Sequence, residues 1–173
     1  MLIVVILIAA VAAGSPARPA DMREQEAVPV FAVPGEEEVA PYTPGNRNAG
    51  ADPFRSTDMW EAFGGEAGVS RIVDAFVARN TSDARIAEIF RGYGLVRLRR
   101  TLKEQFCYIL GGPCDYSGRD MKTAHEHMGL QHADMNALVE NLQAAMTEEG
   151  VPFSAQNKFL SKLAPMRKDV IER

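Results

Sequence analysis

A chain of 173 residues with 46% apolar content has room for one packed domain plus appendages, which excludes a wholly disordered protein. A formal charge of −4 leaves neither a nucleic-acid footprint nor a basic face for a membrane surface. Two cysteines are too few for a disulfide framework and lack the paired CxxC spacing of a zinc site, though they suffice for one bridge.

Taken in chain order, residues 1–14 open with the uncharged apolar run MLIVVILIAAVAA, followed by small residues (Gly14, Ser15, Ala17) of the kind a signal peptidase accepts. The run falls short of the roughly 20 residues needed to span a bilayer, so it reads as a secretory signal. No Lys or Arg precedes it, which keeps an uncleaved N-terminal anchor as the competing reading. The expected location is therefore exported (periplasmic) or membrane-anchored through this segment. Residues 15–55 hold seven of the ten prolines, the acidic run Glu36-Glu37-Glu38, and four arginines against seven acids. No amphipathic period persists there, and the expectation is a disordered linker.

From residue 56 to residue 173 helical periodicity dominates, and the fold class is all-α. Val69, Ile72, Val73, Phe76 and Val77 share one face of a first long helix. A short helical turn follows from Asp83 and ends at Ile89-Phe90. Leu95, Leu98, Leu102, Phe106 and Ile109 form a continuous apolar stripe that stops at Gly111-Gly112-Pro113. Met135, Leu138, Leu142 and Met146 repeat the spacing in a third helix closed by Gly150. Phe159, Leu163, Met166 and Val170 mark a fourth, with Ser154 as its expected N-cap and Pro165 as a kink.

Between the second and third helices lies a glycine-broken stretch, DYSGRDMKTAHEHMGLQ, holding two of the three histidines. A connection of this length in a compact helical domain usually has a function. A short helix through Met121 would set His125 one turn on and on the same side. A neutral imidazole held there is a good ligand for iron or zinc, whereas a lone histidine near a loop is more often solvated or structural. His127 and His132 are read in that second way.

The strings FGGEAGVSRIVDAF (63–76), the run ending at Phe90, LGGP (110–113), YSGRDM (116–121) and MKTAHEHMGL (121–130) together resemble the group I truncated hemoglobins, the two-over-two globins. The likeness covers nearly all of the chain after residue 55, in the family's order and spacing. It implies a two-over-two helical sandwich around heme b, with His125 as the axial ligand of the iron. It places Phe90 against the porphyrin, Leu98 and Leu102 on the distal face, and Phe106 one turn further along. Met121 falls one turn before the ligand, and Met135 at a ring-contacting position of the next helix. Phe76, Val77 and Leu163 complete the expected heme contacts. By pattern alone, Leu98, Leu102, Phe106 and Phe90 would be ordinary core.

Two departures concern the distal side. Where many members of that family carry a hydrogen-bonding tyrosine, this chain has Val77, and where a glutamine is frequent it has Leu102. The resemblance then implies looser oxygen binding than in tyrosine-bearing relatives. Gln105 is the nearest candidate to restore a donor, with a surface role as its alternative; Tyr93 and Tyr108 are more remote candidates. Among Arg97, Arg99, Arg100 and Lys103, at least one is expected to pair with a heme propionate, the others forming a solvated basic face. Cys107 and Cys114 flank a chain reversal, so an exported protein could bridge them; buried thiols are the other possibility.

Functionally, the resemblance implies a heme protein that reversibly binds dioxygen, nitric oxide or carbon monoxide, serving oxygen binding or transport. It is read as a ligand-binding protein more than a dedicated enzyme, and needs no nucleic-acid partner. A reductase is a possible partner, and membrane contact is expected only through the N-terminal segment. The alternatives are a heme redox or electron-transfer protein, a nitric oxide dioxygenase, and a helical interaction module that has lost heme.

Overall fold

A computed structural model describes residues 34–172. The expected signal or anchor at 1–14 and the first part of the linker lie outside the described residues. Among the described residues the elements are helical throughout: α1 (Asp58–Ala62), α2 (Gly65–Ser82), α3 (Leu95–Ile109), α4 (Met121–His125), α5 (His132–Glu148), α6 (Phe153–Leu163) and α7 (Arg167–Val170). Short 3₁₀ turns occupy Asn46–Ala49, Ala87–Phe90 and Ala164–Met166.

The apolar spacing explains the packing. In α2, Val69, Ile72, Val73, Phe76 and Val77 fall on one stripe and are all buried. Burying each such side chain contributes about 1.5–3 kcal/mol. That stripe lets α2 pack against both α3 and α5, while α5 packs on α6. The result is two helix pairs laid across each other. Phe106 from α3 sits at the centre, edge-on to Phe159 at 4.9 Å and tilted against Phe76 at 6.4 Å between ring centroids. Phe63 meets Phe159 from the other side at 5.1 Å.

Helix ends follow local chemistry. α3 stops at Ile109 because Gly111 takes a left-handed φ of 83°, which costs little only for glycine. At Gly112 a Cβ would lie 2.7 Å from the Cys107 sulfur and 2.8 Å from the Trp60 ring, so this second glycine is required by space. The last expected helix is divided. α6 begins at Phe153, with Pro152 at the N-cap position, so Ser154 lies inside the helix and is not its cap. Proline at 165 removes a backbone donor, and the chain passes through a 3₁₀ turn before α7 resumes.

The linker expectation does not hold for residues 34–55, which form a strap bound across α3 and the loop before α4. The Glu36 carboxylate is wholly buried and paired with Arg97 at 3.1 Å and Arg100 at 2.5 Å. The Tyr42 hydroxyl donates to the Ser117 carbonyl and accepts from Arg97, while Arg119 lies over its ring. The Asn46 side chain joins Asp115 and the Tyr116 amide, and Phe54 N–H donates to the Ile109 carbonyl. These bonds are polar and one residue deep. They offset the ordering of a proline-rich segment without any apolar stripe.

Candidate functional site

The site is built around the shortest helix that carries chemistry. α4 is only five residues long, too short to be stable by itself, so its ends must be held. At the front, the Asp120 carboxylate caps it by accepting from Thr123 N–H at 3.0 Å, and that bond keeps the Asp120 pKa below the ordinary carboxylate value. At the back, His125 is half-buried, and its Nδ1 lies 2.7 Å from the Met121 carbonyl oxygen. A carbonyl only accepts, so Nδ1 must carry the proton and Nε2 is left with the lone pair. Burial lowers the His125 pKa, opposed in part by that hydrogen bond, which favours the neutral ligating form.

Apolar side chains on α3, α4, α5 and α6 are incompletely buried. Leu98, Leu102, Met121, Leu138 and Leu163 pack against the core while each keeps part of its surface exposed. Phe90 and Met135 are half-buried in the same way. Apolar side chains left partly open on neighbouring elements are what a cleft for a flat hydrophobe requires. α4 packs chiefly on α7, and it meets α3 where Gln105 Nε2 reaches within 3.5 Å of Met121 Sδ. This set fits heme in its chemistry: one neutral imidazole that could hold the iron, and half-buried apolar side chains on neighbouring elements that could meet the ring. A bare ion has no such provision, since among the described residues no group of three or more His, Cys, Asp or Glu could hold one.

The expected residues divide into two groups. Phe90, Leu98, Leu102, Met121, His125, Met135 and Leu163 are all half-buried. Phe76, Val77 and Phe106 instead belong to the core, at no more than 4% exposure, and the half-buried leucines of α3 pack against that core.

Several expected polar roles fall elsewhere. Gln105 is neither a surface residue nor a distal donor: it is buried, and its amide donates to the Ala49 carbonyl at 2.9 Å, tying the strap to α3. Tyr93 is exposed, and Tyr108 lines a separate open groove with Pro53, Phe54 and Cys114. The four cations of α3 are held by protein carboxylates, Arg97 and Arg100 by Glu36, Arg99 and Lys103 by Asp74. The basic face is thus paired with protein carboxylates and not simply solvated. No pattern in the sequence announced Glu36 or Asp74, because a partner brought in from another segment leaves no local spacing. Cys107 and Cys114 are bridged, with Cα atoms 5.8 Å apart, closing the turn between α3 and the loop toward α4. His127 is exposed, and His132 lies 2.6 Å from an Arg167 guanidinium nitrogen.

Comparison with known proteins places this arrangement. The family described as bacterial-like globin matches residues 58–172. A group 1 truncated hemoglobin from Tetrahymena pyriformis is 29% identical over 113 residues, covering 65% of this chain and 93% of its own length. One from Synechocystis is 35% identical over 98 residues, covering 54% of this chain and 79% of its own. The crystal structure of the Tetrahymena pyriformis truncated hemoglobin in its Fe(III) form superposes with a TM-score of 0.64 at 29% identity, over 66% of this chain and 98% of its own. The 2/2 hemoglobin of Synechococcus, a structure with covalently attached heme, gives 0.61 at 26% identity, covering 66% of this chain and 98% of its own. With the family match and the helical order in agreement, the chain belongs to the bacterial-like globin family and has the two-over-two fold of its truncated hemoglobin relatives.

Proposed function

We propose that this globin holds one heme b with His125 as its axial ligand and binds a diatomic gas reversibly on the opposite, apolar side. The observation that carries the proposal is the His125 ring, which donates through Nδ1 to Met121, itself packed against the apolar core, and so presents Nε2 as a lone-pair donor. Heme would supply the iron chemistry; the chain's share is to orient the imidazole, exclude water and leave the distal wall without a charged group. Leu98, Leu102 and Phe90 would bear on the ring. The positions of His127 and His132 outside the apolar wall support a distal side free of imidazole, and so a ligand-binding role over internal six-coordination. Titration of the full chain with hemin tests this. A Soret band saturating at one equivalent is expected, and no Soret shift at any ratio would refute it.

We also propose an oxidising compartment, exported or at the outer face of a membrane. The Cys107–Cys114 bridge supports this, since such bonds are rare where thiols are kept reduced. Alkylation of protein taken directly from its native source should add nothing before reduction and two groups after it. Two groups added without reductant would contradict the assignment.

A further inference from the structure

The chain immediately after the axial histidine is held in an unfavourable turn. The Met128 N–H donates to the His125 carbonyl at 3.2 Å, closing a four-residue turn that begins at the ligand itself. Its two central residues are Glu126, at φ −56° and ψ 135°, and His127, at φ 68°. That is a type II turn with a histidine where glycine is preferred. A side chain in the left-handed region is strained, so something must over-determine the turn.

That role falls to one carboxylate. Glu172 Oε1 accepts from the His127 N–H at 2.6 Å, and Oε2 accepts from the Gly129 N–H at 3.0 Å. The Glu172 N–H in turn donates to the Leu130 carbonyl at 3.0 Å. The residue therefore bonds three positions, 127, 129 and 130, of the segment joining α4 to α5. Bonds from a carboxylate to backbone amides are among the stronger neutral-donor contacts. The packing beneath is consistent: α7 is the main neighbour of α4, and Leu130 and Val170 are both buried.

We infer that Glu172 is a positioning residue for the axial histidine: it clamps the strained His125–Met128 turn and so fixes the angle at which the imidazole meets the iron. α4 has only one turn of its own, with Asp120 holding the front and Glu172 the rear. The inference rests on the heme reading proposed above, and nothing in the family match speaks to this residue's role.

The test uses the full chain loaded with hemin, comparing wild type with Glu172→Ala, Glu172→Gln, His127→Gly and the double variant His127→Gly/Glu172→Ala. Hemin transfer to an excess of an apo-heme acceptor should be roughly tenfold faster for Glu172→Ala, the scale for groups that orient a metal ligand. Glu172→Gln keeps one acceptor oxygen and should fall between. The iron–imidazole stretching band of the ferrous, ligand-free form should shift or broaden in Glu172→Ala, which a change in stability alone would not produce. His127→Gly relieves the strain and should restore part of the effect in the double variant. A transfer rate and a stretching band both unchanged in Glu172→Ala would overturn the inference alone. A wild type that takes up no hemin would overturn the heme reading, and the inference with it.

Discussion

Leu102→Gln is expected to slow dioxygen release by about tenfold. The face that α3 would turn to the gas in the proposed reading is apolar, with Leu98 and Leu102 half-buried, and Val77 of α2 is wholly buried. The bound gas would carry partial negative charge, and a donor to it is worth about 0.5–1.5 kcal/mol, more when charge-assisted. Each 1.4 kcal/mol is a factor of ten in rate or affinity. Gln105 does not supply that donor, because its amide is committed to Ala49. Glutamine at 102 enters a position with part of its surface still open, so it adds a donor without crowding. Val77→Tyr would add a stronger one, but at 0% exposure it also risks an overpacking cost of about 1–3 kcal/mol. Stopped-flow release rates for Leu102→Gln equal to wild type would show that this wall does not face the gas.

The second large effect is on heme retention. His125→Gly should weaken hemin binding by roughly a hundredfold or more, since even groups that merely orient a metal ligand contribute ten- to a hundredfold. Added imidazole should restore much of the loss, which a collapsed fold would not allow. A pH dependence follows from the same residue. Burial depresses the His125 pKa below its ordinary 6.5, so the imidazole stays neutral in the folded protein while the unfolded chain already takes up a proton. Below about pH 6.5 the unfolded state binds the extra proton and is favoured. Heme-free stability should then fall with pH, at a slope of at most about 1.4 kcal/mol per pH unit, until the folded histidine titrates as well. At higher pH this contribution is fully present and flat. Urea melts of the heme-free wild type and His125→Gly, compared between pH 5 and 8, read the difference. Parallel profiles for the two would remove His125 as its source.

The α-class and the positions of α2, α3 and α5 were legible because one residue every three or four carried the burial. The two double glycines and Pro165 marked real ends and a real break. His125 stands out as a candidate ligand only through its register with those glycines and Phe90. The strap was not legible, for a physical reason: Glu36, Tyr42 and Asn46 bind through a few polar contacts each to residues 55 to 75 positions away. Such contacts impose no period on the sequence. Proline content alone suggested disorder, yet proline also lowers the entropy lost when an extended segment is pinned. Gln105 escaped for a related reason. Its stripe position sat between core and surface, and only the Ala49 carbonyl decided that it would be buried. The turn at His127 and its Glu172 clamp depend on a backbone angle that no residue type there advertises.

The central claim is that His125 Nε2 ligates a heme iron whose other side is open to a gas. It is tested most directly by resonance Raman spectra of the ferrous, ligand-free wild type beside His125→Gly. The account predicts a five-coordinate spectrum with an iron–imidazole stretch, absent in His125→Gly and regained when imidazole is added. An iron–imidazole band that survives in His125→Gly, or a six-coordinate low-spin spectrum in the wild type, would contradict it.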